Sequence, residues 1–314
     1  MGLLTGFNIT LAEVELLAQA ARAAFSGGAI PDGWNVLTPQ QLGVAPQYWD
    51  GLYFSNNGAS AIVLQQQQGN DIIVSFRGTD SQQDFAYYPE LLFGTYINRF
   101  QSLLSAIAAQ PADTHFYFTG ASLGGGAVNQ MADLASSEYA GRFAAAQFVA
   151  FASPIISNAN GILNVGFEND PIYKSLENYS DQPSSLDNLV LATAQYMAGN
   201  YDGRHPLDYY AHSSSALDVF ARLEGSAFYD FMSSDSVVIF DAYSGAVTDV
   251  TPGRESSGAF YLGGVVADQI IGRAGIDFIE GFGGDDTSTA AAAPTSWPAG
   301  RTTTPMLSTM PATS

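Results

Sequence analysis

His115-Phe-Tyr-Phe-Thr-Gly-Ala-Ser-Leu-Gly-Gly-Gly-Ala-Val-Asn-Gln-Met-Ala-Asp-Leu134 is the stretch on which the reading of this chain turns. His115 to Thr119 reads as a short aromatic strand, and Ala127 to Ser136 as a helix. Between them stands Gly120-Ala-Ser122-Leu-Gly124. A turn from strand to helix this tight requires glycine at its flanks and lifts the serine hydroxyl clear of the sheet. The amide of Leu123 then falls at a helix N-terminus, where backbone donors and the helix dipole favour an oxyanion. Ser122 is therefore the candidate nucleophile.

A serine nucleophile needs a base, and the chain holds three histidines. His115 feeds the same strand seven residues upstream, roughly 20 Å away at about 3.3 Å per residue, which excludes it. His205 and His212 both lie downstream, where a base belongs in the order serine, acid, histidine. His212 is favoured, because it sits in a polar loop (Tyr210-Ala-His-Ser-Ser-Ser215) before a helical run, whereas His205 precedes Pro206 in a turn. The carboxylate that orients the imidazole is best supplied by Asp170, after the apolar stretch Ile162 to Phe167 and before Pro171. Strand ends of this kind gather catalytic groups in open α/β sheets. Asp181, Asp187 and Asp208 are weaker candidates, and a turn-forming role is the plain alternative for an Asp-Pro pair. Phe76-Arg-Gly-Thr79-Asp80 closes an earlier strand, where a second oxyanion donor belongs; Thr79 has an amide and a hydroxyl to offer.

Around this centre, Thr10-Leu-Ala-Glu13 is a capping box opening a helix to Phe25. Ser60 to Gln65 and Asp71 to Phe76 read as strands, Tyr96 to Ala109 as a helix and Ala146 to Ala152 as a strand. This alternation predicts an α/β fold with a parallel sheet covered on both faces. After Phe228 the texture changes to short strands with Gly, Asp and Ser turns, and then to a nine-residue repeat. In Gly272-Arg-Ala-Gly-Ile-Asp277 and Gly281-Phe-Gly-Gly-Asp-Asp286, glycine holds positions one and four and aspartate position six. The expected organisation is a catalytic domain over 1–229, a β-rich domain over 230–286, and a disordered Thr/Ala/Pro tail over 287–314.

Composition narrows the function. The 314 residues carry 10 basic against 30 acidic side chains, a net charge of −20. A chain so acidic has no footprint for nucleic acid and is repelled by anionic membranes. Cysteine is absent, which removes disulfide scaffolds, thiol nucleophiles and thiolate metal sites. No apolar run is long enough to span a bilayer, and the N-terminus lacks the basic-then-apolar form of a Sec signal peptide.

Five segments in this order carry a resemblance: FRGTD (76–80), GASLGGGAVNQMADL (120–134), FVAFASP (148–154), LNVGFENDPIY (163–173) and FYDFMSSDS (228–236). From about Gly33 to Asp286 the chain resembles the calcium-dependent, RTX-type bacterial lipases secreted by the type I route, and more distantly the class 3 lipases. The resemblance implies an α/β-hydrolase domain followed by a small β-roll, and a secreted ester hydrolase acting on lipid or other ester substrates. It implies a triad of Ser122, Asp170 and His212, with oxyanion donors at Thr79 and Leu123. It further implies a calcium ion beside the acid, on Glu168, Asp181 and Asn188, and calcium in the roll at Asp277 and Asp286. Phospholipase A1 and polyester or polyurethane esterases share this apparatus, and an inactive calcium-binding scaffold is the reading from another class.

The chain departs from that pattern in several places. Ala121 stands where histidine usually precedes the nucleophile. About one and a half repeats are legible, fewer than the family commonly has, and the usual C-terminal secretion signal is not visible, so truncation or another exit route is expected. The lid segments are short, with 42 residues between Thr79 and Ser122. Asp84 to Phe93 is the remaining flap, which implies access for short-chain, bulky or polymeric esters.

Overall fold

The computed structural model describes residues 7, 9–26, 28–79, 82–157, 159, 161–167, 175–176, 188–192, 237–240, 246–248, 256, 258–263 and 266–289. The first helix, α1, spans Leu11–Ser26. The capping box predicted for it forms: Thr10 N donates to Glu13 Oε2 at 2.7 Å, and Glu13 N donates to Thr10 Oγ1 at 3.2 Å. Strands β1 (Trp34–Leu37), β2 (Trp49–Asp50), β3 (Tyr53–Asn56) and β4 (Ala59–Gln66) follow, then β5 (Ile72–Phe76). Next come α2 (Tyr88–Leu92), α3 (Gln101–Ala108), β6 (Phe116–Ala121), α4 (Leu123–Leu134), β7 (Gln147–Phe151), β8 (Ile162–Phe167) and β9 (Asn188–Ala192).

The sheet is mixed where pure alternation predicts a parallel one. From β5 through β9 every pairing is parallel, while β1 to β5 pair antiparallel. The antiparallel start follows from the short polar turn between β4 and β5, which can close a hairpin but cannot carry a crossover. Strand β5 is buried along its whole length, as a strand covered on both faces must be. Its side chains alternate: Ile73 packs toward α1, and Ile72, Val74 and Phe76 toward α3 and α4. On the α1 side, Ser75 Oγ donates to Ala20 O at 3.0 Å and Thr119 Oγ1 to Leu17 O at 3.2 Å. These bonds satisfy two hydroxyls that burial would otherwise leave unpaired.

The C-terminal part is a coil of two facing sheets. Strands β10 (Val237–Phe240), β12 (Phe260–Leu262) and β14 (Phe278–Glu280) continue the main sheet through a parallel β9–β10 pairing. Strands β11 (Ala246–Thr248), β13 (Gln269–Ile271) and β15 (Thr287–Thr289) form the second sheet. Ile239, Val247, Ala259, Tyr261 and Ile270 fill the space between them.

Two expectations change here. Residues 287–289, assigned to the disordered tail by composition, pair in register with β13. The repeat also begins earlier than its sequence suggests. Gly263 and the residues from Val266 to Asp268 occupy the same places in the coil as Gly281 and the residues from Gly284 to Asp286, one full turn of 18 residues before them. Val266 stands where the repeat has its second glycine, which hid this unit in the sequence. Among the described residues no helix is long and apolar enough to cross a membrane.

Candidate active site

Ser122 stands between β6 and α4 with φ 54° and ψ −123°, a region that side-chain-bearing residues rarely occupy. Neighbouring strands and helix over-determine this conformation. Ser122 N donates to Phe151 O at the end of β7 (2.9 Å), and Gly126 N donates to Ser122 O (3.0 Å). A Cβ on Gly124 would stand 2.2 Å from Phe76 O, so only glycine lets α4 start this close to the end of β5. The amide of Leu123 heads α4 and belongs to the first turn, whose N–H groups have no acceptor inside the helix.

Thr79 leaves β5 beside this elbow, since a Cβ on Gly78 would stand 2.7 Å from Ala121 O. The residue is 8% exposed, and its Oγ1 is buried with no hydrogen-bond partner. A buried hydroxyl without a partner is uncommon and needs a reason. A developing oxyanion is one.

The flap anticipated over Asp84 to Phe93 is a 3-10 turn over Gln82–Tyr87 followed by α2. It roofs the elbow: Tyr88 Oη lies 3.4 Å from Ser122 Oγ. The roof is tied down. Gln130 of α4, buried, donates from Nε2 to Leu91 O (2.9 Å) and Glu90 O (3.1 Å), and its Oε1 accepts from Ile97 N (2.8 Å). Glu90 and Arg99 form a two-pronged ion pair at 2.6 and 2.7 Å. Arg99 also donates to Asn57 O and lies over the Tyr87 ring, 4.3 Å from its centroid. The Arg99 hydrogen bond holds the Glu90 carboxyl below its usual range, and the same bond raises Arg99. Burial pushes the Tyr96 phenol well above its ordinary value, so it stays neutral. At the end of α2, Leu92 and the following Phe93 are exposed.

Under the elbow lies a buried polar link. Asn129 of α4 donates from Nδ2 to Asn164 Oδ1 on β8 (2.8 Å) and Ser153 Oγ (3.1 Å), while its Oδ1 accepts from Ser157 N (2.7 Å). Sequence reading missed Gln130 and Asn129, because a polar residue inside an apolar helical run looks like its solvent face.

Of the residues expected at this site, Ser122, Leu123 and Thr79 come together. Strand β8 ends at Phe167 on the sheet edge that carries Ser122. Glu168, Asp170, Asp181 and His212 lie outside the described residues. Asn188 begins β9 level with Asn164, three residues short of Phe167. His115 is exposed, ahead of β6 at the far end from Ser122, as its exclusion requires.

The aspartates expected in the roll divide between its two edges. Asp277 precedes β14 and its Oδ1 accepts from Ala259 N (3.2 Å); Asp286 precedes β15 and accepts from Asp268 N (3.0 Å). Nine residues are half a turn of the coil, so Asp286 pairs with Asp268 and not with Asp277. A Cβ on Gly263 would stand 2.5 Å from Gly281 O and 2.8 Å from Asp268 Oδ2, so oxygens from two turns converge there. Among the described residues no three His, Cys, Asp or Glu side chains group as a metal site.

No family model matches the chain. A lipase of Pseudomonas fluorescens is 37% identical over 139 residues, covering 38% of this chain and 29% of the relative. A second lipase from the same organism is 35% identical over 138 residues, covering 38% and 31%. The match thus spans about a third of the length of these curated relatives. The crystal structure of the extracellular lipase LipA from Serratia marcescens superposes with a TM-score of 0.61 at 25% identity, over 82% of this chain and 51% of that one. The resemblance to bacterial lipases holds, and the fold is of the α/β-hydrolase type.

Proposed function

We propose that this relative of bacterial lipases is itself a carboxylic ester hydrolase acting on lipid esters through an acyl-enzyme on Ser122. The observation that carries the reading is the serine held at φ 54° on the turn between β6 and α4. Structure stores backbone strain of this kind where a nucleophile must be presented at the head of a strand-to-helix turn. Ser122 Oγ attacks the ester carbonyl while His212 takes its proton, and Asp170 orients the imidazole. The amides of Leu123 and Thr79, with the buried Thr79 hydroxyl, receive the oxyanion. The alcohol leaves with the proton from His212, and water activated by the same histidine releases the acid.

A roof tied to α4 favours esters that enter from the side, short-chain, bulky or polymeric, over those that need a lid to swing. Secretion is our reading from the likeness to an extracellular lipase.

Calcium fits the Asp268–Asp286 edge of the roll, where carboxylate and carbonyl oxygens of two turns converge; hard cations take such ligands. Asp268 is 2% exposed, and a buried carboxylate favours a cation beside it. The ion would staple successive turns and take no part in the chemistry. Asp277, opposite Ala259, has half of such a site. A second ion on Glu168, Asp181 and Asn188 remains part of the proposal on the resemblance alone.

The test is hydrolysis of p-nitrophenyl esters from short to long acyl chains by wild type and Ser122→Ala. Loss of activity in the variant supports the serine mechanism, and the chain-length profile separates esterase from lipase. Unchanged turnover in Ser122→Ala defeats it.

A further inference from the structure

We propose that Tyr88 is a catalytic residue: its hydroxyl donates to Ser122 Oγ and so turns the serine's own O–H toward the base. The inference rests on Ser122 being the nucleophile. Three observations carry it. Tyr88 Oη is 3.4 Å from Ser122 Oγ, long for a hydrogen bond but typical of catalytic contacts before substrate arrives. The nucleophile cannot shift to improve the contact, since its backbone is locked by Phe151 O and Gly126 N. Nor can the tyrosine readily leave.

Tyr88 opens α2, and the rest of that short helix is anchored at three points. Gln130 binds the carbonyls of Glu90 and Leu91. Arg99 grips the Glu90 carboxylate. Leu91, 2% exposed, packs into the space left by Gly126, where a Cβ would stand 2.6 Å from Leu91 Cδ1. A segment so anchored is a fixed wall of the site and keeps its hydroxyl there through the reaction.

The chemical consequence follows from how a hydroxyl shares its atoms. Ser122 Oγ has one proton to donate and two lone pairs. If a lone pair accepts from Tyr88, the proton is left for the imidazole. During acylation the Oγ–C bond forms, the carbonyl π pair moves to oxygen, and the Oγ proton passes to the base. Negative charge on Oγ is greatest as that proton departs, so the Tyr88 bond is stronger on the way to the transition state than in the resting enzyme. Only such a difference raises the chemical rate.

The experiment compares wild type, Tyr88→Phe and Ser122→Ala in full-length protein. It measures the second-order rate of fluorophosphonate labelling, kcat and KM on p-nitrophenyl butyrate, and the melting temperature. Tyr88→Phe keeps the ring and loses only the hydroxyl. The expected result is a fall of about tenfold in labelling rate and kcat, the worth of one neutral hydrogen bond, with KM nearly unchanged. Labelling at or above the wild-type rate in a folded Tyr88→Phe overturns the proposal. Persistent labelling of Ser122→Ala would instead overturn the nucleophile assignment, which keeps the two failures apart. Should Tyr88→Phe fail to fold, Gln130→Met loosens the wall from behind. Slower labelling then supports the role of Tyr88, and an unchanged rate counts against it.

Discussion

Replacing Gln130 by methionine tests whether the roof over Ser122 is built in or merely resting there. The side chains are similar in volume, so the change removes hydrogen bonds without opening a cavity. Gln130 Oε1 accepts the Ile97 amide, and its Nε2 donates to the Leu91 carbonyl, both in buried surroundings. Each buried backbone group left unpaired costs about 1–3 kcal/mol, and burying an apolar side chain in place of the amide returns roughly 1 kcal/mol. The net expectation is a loss of about 1–5 kcal/mol, or roughly 2–20 °C in melting temperature for a domain of this size. Thermal melts followed by fluorescence, paired with urea midpoints, read it directly. Gln130→Glu should be worse still, because its carboxylate faces the Leu91 carbonyl that now receives a donated bond. A loss under about 0.5 kcal/mol for methionine, the range of an ordinary surface change, would refute the roof as a hydrogen-bonded part of the fold.

Other perturbations have equally definite outcomes. Gly124→Ala should yield little soluble protein, since its Cβ meets the Phe76 backbone at 2.2 Å, whereas Gly126→Ala meets only the side-chain end of Leu91, which can give where backbone cannot, and should fold; the reverse order of soluble yields would contradict the elbow packing. Chelation should lower the melting temperature, by about 2.7 kcal/mol of stability if calcium had stood at a hundred times its Kd, and Asp268→Asn should blunt this response more than Asp277→Asn. Indifference to chelator would remove calcium from the account. The Arg99 hydrogen bond lowers the folded-state value of Glu90 beneath its ordinary 4.5. The unfolded chain therefore binds the proton first, so the stabilisation is complete above pH 4.5 and disappears as pH falls through the lowered value. Wild type should lose melting temperature over that interval more steeply than Arg99→Met, and parallel pH profiles would argue against the ion pair.

The centre of the site was legible in sequence because its signals are local. A serine between glycines, after an aromatic strand and before an alanine-rich helix, has one way to turn, and Ser122 and Leu123 follow from it. Thr10 and Glu13 close their capping box for the same reason, within one turn of helix. Alternating strand and helix patterns likewise marked the strands from β4 to β7, although not β1 to β3, which tertiary pairing adds to the sheet. Distance along the chain is what hid the rest. Nothing near Gln130 says that its amide will reach the carbonyls of α2 some 40 positions earlier, and nothing near Tyr88 says that its hydroxyl will meet Ser122. The roll makes the contrast plainest. The repeat of glycine and aspartate announces a coil, and its nine-residue spacing makes Asp277 and Asp286 look like neighbours. Only the 18-residue turn shows that nine residues lead to the opposite edge, leaving Asp286 beside Asp268. Sequence by itself determined the central elements and the candidate nucleophile, which depend on backbone conformation over a few residues. Tertiary packing decided which side chains share a site, because that depends on how the sheet and coil bring distant segments into register.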